Sequence, residues 1–241
     1  EGKYAEAEAL AQKTMTIKND LRYGSYRPLG DLKLTFNGFE NYSDYHRQLD
    51  MDTAIATTTY TADGGVFKRE VFSSYPDQVL IVRLTSDQKG KYSFTLDLSR
   101  ELRAATRSLS DSMLIVEGYC ENGGVTFNGI LKLINEGGAV EANKDKLIVK
   151  NADAVTILFA SNTNYRHKDH IDVSLAQLRN AECKSYDQLK QDHVQDHQRL
   201  FRRIEIDLGK TTASKLPMDE RLNRIRSDEN NLAKDPDAAA L

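Results

Sequence analysis

Three pairs of side chains have the types and spacing that chemistry needs. His193 and His197 lie four residues apart, a helical spacing that presents two imidazoles to one metal ion. Zinc would need a third ligand, and the glutamate of an H-E-x-x-H motif is replaced by Val194. Tyr186, Leu189, His193 and Leu200 form one stripe, so His193 is read as packing at an interface, and no metal is expected. His167 and His170 fall in a loop segment with no cysteine or acidic-ligand pattern beside them. Asp50 and Asp52 are read as sharing one face of a strand, about 7 Å apart. That falls within the roughly 6.5–9.5 Å used by inverting glycosidases, but hydrolysis places its carboxyls on opposite sides of a sugar. Neighbours on one strand face the same way, so a solvated face is the favoured reading.

No Gly-x-Ser-x-Gly elbow, phosphate-binding glycine loop or Cys-x-x-Cys occurs, and no cofactor is expected. Asn41-Tyr42-Ser43 matches a glycosylation sequon, a weak signal. The inventory is poor for an autonomous enzyme. A stiff turn, Tyr26-Arg27-Pro28-Leu29-Gly30-Asp31, is the best place to hold polar side chains still at a sheet rim. Pro28 fixes its own φ and pushes Arg27 extended, while Gly30 tolerates a positive φ.

The elements that must position these groups follow from periodicity. Gly2 to Met15 reads as a helix, with Tyr4, Ala7, Leu10 and Ala11 at helical spacing. From Asp31 the period drops to two. In Lys91–Ser99, Tyr92, Phe94, Leu96 and Leu98 point one way and the residues between them the other, a half-buried antiparallel strand. Val79–Leu84 is nearly continuous apolar and reads as a strand covered on both faces. Further strands are expected at 53–61, 65–74, 112–119, 125–135, 146–150 and 154–160. Their separators are Asp63-Gly64-Gly65, Asn122-Gly123-Gly124, Glu136-Gly137-Gly138 and Asn143-Lys144-Asp145. This spacing predicts a mainly β protein, a large antiparallel β-sandwich with an N-terminal helix and C-terminal helices. Ile171–Cys183 and Tyr186–Arg202 read as helices, Ile204–Leu208 as a short alternating strand, and Leu216–Asp219 as the start of a charged helix. Asp235-Pro236 signals one more helix start. Residues 1–209 are therefore read as a sandwich domain and 210–241 as a helical linker.

At 241 residues the chain can bury a substantial core. Its 33 basic and 36 acidic residues nearly balance, with no basic stripe, which argues against a nucleic-acid partner. There is no apolar run long enough for a membrane span. Trp is absent, leaving 11 Tyr for any stacking on sugars. Cys120 and Cys183 fall in different elements, and two free thiols are favoured over a bridge. The chain opens on a helix already under way and without Met, and is read as a fragment whose targeting information lies upstream.

SYRPLGDLKLTF is similar to the YQPLGDL signature in the N-terminal domain of glycoside hydrolase family 95, the inverting 1,2-α-L-fucosidases and relatives. EGKYAEAEALAQKTM resembles the helix before that signature, and RQLDMDTAIATTTYTADGGVFKREVFSSYPDQVLIVRL the strands after it. DHVQDHQRLFRRIEIDLG and LPMDERLNRIR resemble the closing helix, strand and linker. The resemblance implies a β-supersandwich followed by a linker and an (α/α)6 catalytic barrel. It places the general-acid Glu and general-base Asp in that barrel, beyond Leu241, so no catalytic residue is expected here. The barrel would pack on this domain, and a carbohydrate substrate would be met through the intact enzyme. A periplasmic or secreted parent is implied. Arg27 stands where the family has Gln, and Tyr26 and Arg27 are the candidate substrate-edge residues. The expected role is a non-catalytic N-terminal region of an enzyme acting on α-L-fucosides or related α-L-galactosides. Alone, it is expected to aggregate or be poorly stable. The rival readings are a free-standing carbohydrate-binding module, which would show an exposed aromatic platform on one sheet, and a structural sandwich, which would show a large exposed apolar patch.

Overall fold

The computed structural model describes residues 2–15, 28–36, 41–120, 124–207 and 209–227. They divide into two compact units, Glu1–Gln198 and Arg199–Leu241.

The first unit is the expected antiparallel sandwich. A four-stranded sheet has the order β1 (Asp31–Phe36), β6 (Tyr92–Ser99), β11 (Lys146–Ala152), β10 (Ala139–Asn143). An eight-stranded sheet runs β2 (Tyr42–Asp50), β3 (Ile55–Ala62), β4 (Gly65–Ser74), β5 (Val79–Ser86), β12 (Ala154–Thr163), β9 (Thr126–Glu136), β8 (Met113–Tyr119), β7 (Ala104–Ser110). The chain passes between the sheets repeatedly, so each layer is assembled from distant segments. Helices α1 (Tyr4–Thr14), α2 (His170–Glu182) and α3 (Tyr186–Phe201) begin within this unit.

Alternation along the strands builds two cores. Facing the small sheet, the large sheet presents Phe67, Val82, Leu84, Leu114, Val116, Leu131, Leu133, Val155 and Ile157, all buried. They meet Tyr92, Phe94, Leu96 and Leu98 of β6 with Leu147 and Val149 of β11. On its other face the large sheet presents Phe72, Val79, Ile81, Ile115, Ile130 and Leu158 to Leu178 and Ala181 of α2 and Leu189 of α3. Each fully buried leucine or isoleucine contributes about 1.5–3 kcal/mol. The Tyr92 hydroxyl donates to the Thr85 carbonyl at 2.9 Å, and burial raises its pKa, so it remains a donor at neutral pH.

Several expectations change. β7 and β10 are strands beyond those expected, and AATRSLS and AVEAN carry few large apolar residues to signal them. Both are outermost strands, so little of their surface needs an apolar side chain. Ile204–Leu208 is not the expected strand: residues 204–207 have no regular structure, and Ile204 and Ile206 are 78 % and 77 % exposed. Alternation without a pairing partner makes no ladder. Leu208, Asn122, Gly123 and Asp235-Pro236 lie outside the described residues. Cys120 and Cys183 are free thiols. The second unit holds a 3-10 turn, Thr212–Lys215, and the expected charged helix α4 (Met218–Ser227).

Asp63-Gly64 and Gly137-Gly138 close hairpins with both central residues at positive φ, which the right-handed strand twist favours. A Cβ on Gly138 would lie 2.2 Å from the Lys150 carbonyl oxygen, whereas one on Gly64 meets nothing within 4 Å. Gly138→Ala should therefore destabilise by about 2–3 kcal/mol and Gly64→Ala by about 1 kcal/mol. Urea unfolding of the two variants checks this, and equal losses would contradict it.

Candidate functional site

The stiff turn delivers only part of what it promised. Tyr26 and Arg27 lie outside the described residues. The described end lines a cleft of about 150 Å³ with Pro28, Gly30, Asp31, Arg100, Glu101 and Leu102. Gly30 is there for closeness: an added Cβ would sit 2.5 Å from the Ser99 carbonyl oxygen of β6. The Arg100 guanidinium lies 4.2 Å from the centroid of the Phe127 ring, which holds it beside Asp31 and Glu101 in the cleft wall. The cleft presents both charge signs at the rim where β1 enters the small sheet.

Asp50 and Asp52 do not share a strand face. β2 stops at Asp50, whose Oδ1 accepts from the backbone N–H groups of Asp52 and Thr53 at 2.9 and 3.2 Å. This is the local turn chemistry of aspartate, which competes with strand formation. Asp52 accepts from the Gln198 side-chain amide at 2.8 Å. Neither carboxylate faces the other across a cavity.

His193 and His197 fasten α3 to the same turn. His193 Nε2 lies 3.0 Å from the Thr53 carbonyl oxygen and His197 Nε2 lies 2.9 Å from that of Met51. A carbonyl only accepts, so each Nε2 must donate its N–H and has no lone pair for a metal. His193 is 6 % exposed and stacks on Phe72 with centroids 4.8 Å apart, as its place in the expected stripe requires. The stripe ends early, since Leu200 is 49 % exposed. Among the described residues no three His, Cys, Asp or Glu side chains gather as a metal site. His193→Ala should destabilise by about 2–4 kcal/mol, while EDTA leaves the wild-type melting temperature unchanged. A chelator-induced drop would make the pair a metal site after all.

An ionic cluster that sequence reading missed lies on the same side of the sheet. Glu70 of β4, 7 % exposed, is 2.8 Å from Lys190 and 3.1 Å from Lys68, and accepts from the Tyr186 hydroxyl at 3.1 Å. Burial pushes the Glu70 pKa up, but hydrogen bonds and charge from Lys190 and Lys68 outweigh it and hold the group below its ordinary value. Burial, then the Glu70 charge, raises that of Tyr186. Arg83 covers the Tyr186 ring at 5.2 Å and donates to Thr156 Oγ1 at 2.8 Å. A carboxylate held ionised by two ammonium groups cannot serve as a general acid at neutral pH, so the cluster fastens α3 to β4. The lysine at position i and glutamate at i+2 of KREV signal a shared strand face, but nothing in sequence pairs them with Lys190. Because the folded pKa is lowered, this stabilisation is present above the ordinary 4.5 and is lost as pH falls through the folded value. Glu70→Gln should cost about 1–2 kcal/mol at pH 7, and the gap from wild type should close in acid. Denaturation curves from pH 7 to about pH 3 test this, and a pH-independent gap would contradict it.

A second missed group is aromatic. Tyr42, Tyr45, Thr58, Tyr60, Arg69 and Phe36 line a cleft of about 270 Å³ at the β2 edge of the large sheet. Tyr42 and Tyr45 are 63 % and 54 % exposed, with ring centroids 5.9 Å apart.

With fold and geometry in place, the comparisons with known proteins are direct. Residues 1–168 match the family model described as "Glycosyl hydrolase family 65, N-terminal domain", and residues 185–241 match the "Glycosyl hydrolase family 95 catalytic domain". The chain belongs to the family of the first model, which matches residues 1–168, and the match of residues 185–241 to the second agrees with the family 95 resemblance of its sequence. "Alpha-L-fucosidase 2" of Arabidopsis thaliana is 26 % identical over 87 % of this chain and 29 % of its own length. "Probable alpha-fucosidase A" of Aspergillus oryzae is 26 % identical over 80 % of this chain and 29 % of its own length. The protein of the same name from Aspergillus niger is 25 % identical over 77 % and 26 %. The chain thus spans less than a third of the length of these curated relatives. Among solved structures, a human-microbiome chain assigned as a kojibiose phosphorylase aligns with a TM-score of 0.49 at 14 % identity, over 65 % of this chain and 25 % of that one. No helix among the described residues is long and apolar enough to cross a membrane.

Proposed function

We propose that this chain is the non-catalytic N-terminal region of an inverting glycoside hydrolase acting on α-L-fucosides, or related α-L-galactosides, of oligosaccharides. The observation that carries the reading is the alignment of fucosidase-named relatives over as much as 87 % of the chain. Five acidic side chains under and beside the helices fit it, because each has a structural duty. Glu70 neutralises lysines, Asp50 caps a turn, Asp52 receives Gln198, and Asp77 and Asp192 both bind Lys184. An inverting hydrolase needs two acids about 6.5–9.5 Å apart, one protonated, flanking a sugar and a water.

In this reading residues 1–209 form the sandwich and 210–241 a linker toward an (α/α)6 catalytic barrel, which packs on this domain and supplies the acid and base. Tyr26 and Arg27 then stand at the rim of the substrate pocket, where a guanidinium adds planar donors that glutamine lacks. The test is hydrolysis of an aryl α-L-fucoside by the intact protein, followed by proton NMR of the first-formed anomer. The expected product is the β anomer, with no turnover by the 1–241 chain alone. Turnover by this chain, or release of the α anomer first, would overturn the reading.

A further inference from the structure

We propose that the edge of the large sheet formed by β2, β3 and β4 binds an anionic pyranose, a sugar ring carrying a carboxylate or a sulfate. The site begins with a β-bulge. The β2–β3 register shifts between Ser43 and His46, and Asp44 takes a φ of 53°. An extra residue reverses the normal alternation, so Tyr42 and Tyr45, which would otherwise point to opposite faces, come together. They line the cleft together with Thr58 and Tyr60 of β3 and Phe36 of the small sheet.

Two arginines join this face. The registers pair Arg47 with Thr58 and Thr58 with Arg69, and directly paired residues share a face. Arg69 Nε has no hydrogen-bond partner. No acidic side chain among the described residues pairs with either guanidinium, although the chain carries a net charge of −3. A guanidinium presents planar N–H donors that match a carboxylate or sulfate in a bidentate way. Tyrosine offers a flat apolar surface for the C–H side of a sugar and a hydroxyl for its rim. Nucleic acid is the poorer fit, because no wider basic stripe tracks a phosphate backbone from this edge. Exposed aromatics beside two guanidinium groups with no acidic partner among the described residues therefore specify a ring that is both flat and negatively charged. This goes beyond the proposed function, sharing with it only the class of ligand.

Saturation-transfer NMR on the intact protein tests the site with D-galacturonic acid, D-galactose 6-sulfate and D-galactose as probes. Transfer to one or both acidic sugars is expected, with the carboxylate and sulfate arms identifying the anion, and binding of neutral galactose at least about tenfold weaker. Tyr45→Ala, on an exposed edge strand, and Arg69→Met should each weaken binding about tenfold, whereas Arg107→Met on β7 should not. No transfer to either acidic sugar would overturn the proposal, as would equal binding of galactose or undiminished binding by Tyr45→Ala. The fucoside assay on the intact protein has its own readout, so either idea can fail while the other stands.

Discussion

The eight-stranded sheet is apolar on both faces at its centre, and the rest of the structure answers that constraint. β5, β8, β9 and β12 place large aliphatic side chains alternately on each side, as in Leu114, Ile115 and Val116, all fully buried. A sheet with one wet face could not carry such strands. The small sheet covers one side, and α2 with the first turns of α3 covers the other. Order in the chain follows from this need: the small sheet is assembled from three separate segments, β1, β6 and the β10–β11 hairpin.

Polar structure gathers where the cover ends. Beyond the apolar seat of Leu189, α3 is fastened by buried and half-buried polar contacts: Glu70 with its lysines and Tyr186, His193 on Thr53, and Lys184 between Asp77 and Asp192. A buried charge such as Glu70 is tolerated only while it keeps its partners, which ties the seating of α3 to Lys190 and Tyr186. At the opposite extreme β2 has no buried residue, and its tyrosines are left open to ligand. The same domain is therefore densely packed under its helices and exposed at its β2 edge.

Much of this could be read along the chain, for identifiable reasons. β4, β5, β6, β8, β9 and β12 carry strong alternation or continuous apolar runs between glycine turns, and their bounds lie close to those expected. α2 and α3 likewise follow helical periodicity to within a residue or so at each end. The lost strands, β7 and β10, lie at or beside solvent, where side chains need not be apolar for the backbone to pair. Residues 204–207 failed in the opposite direction, having the alternation but no paired strand among the described residues. Asp50 and Asp52 read as strand neighbours because nothing in their spacing reveals that the Asp50 carboxylate ends β2 by accepting from the N–H groups of Asp52 and Thr53.

Local alternation, turn glycines and the Tyr26–Asp31 signature were properties of the chain itself. They suffice for a β-sandwich with helical ends and for the family. What needed tertiary structure was every contact between residues far apart in sequence. Lys190 reaches Glu70, His193 reaches Thr53, and Arg47 shares a face with Arg69, though no local pattern couples them. Tyr42 and Tyr45 are the sharpest case. Their spacing says opposite faces, and only pairing with β3, which forces one residue out of register, turns them to the same side. Periodicity is set by each residue's own backbone geometry, whereas register is set by which partner strand arrives, and a sequence carries the first more plainly than the second.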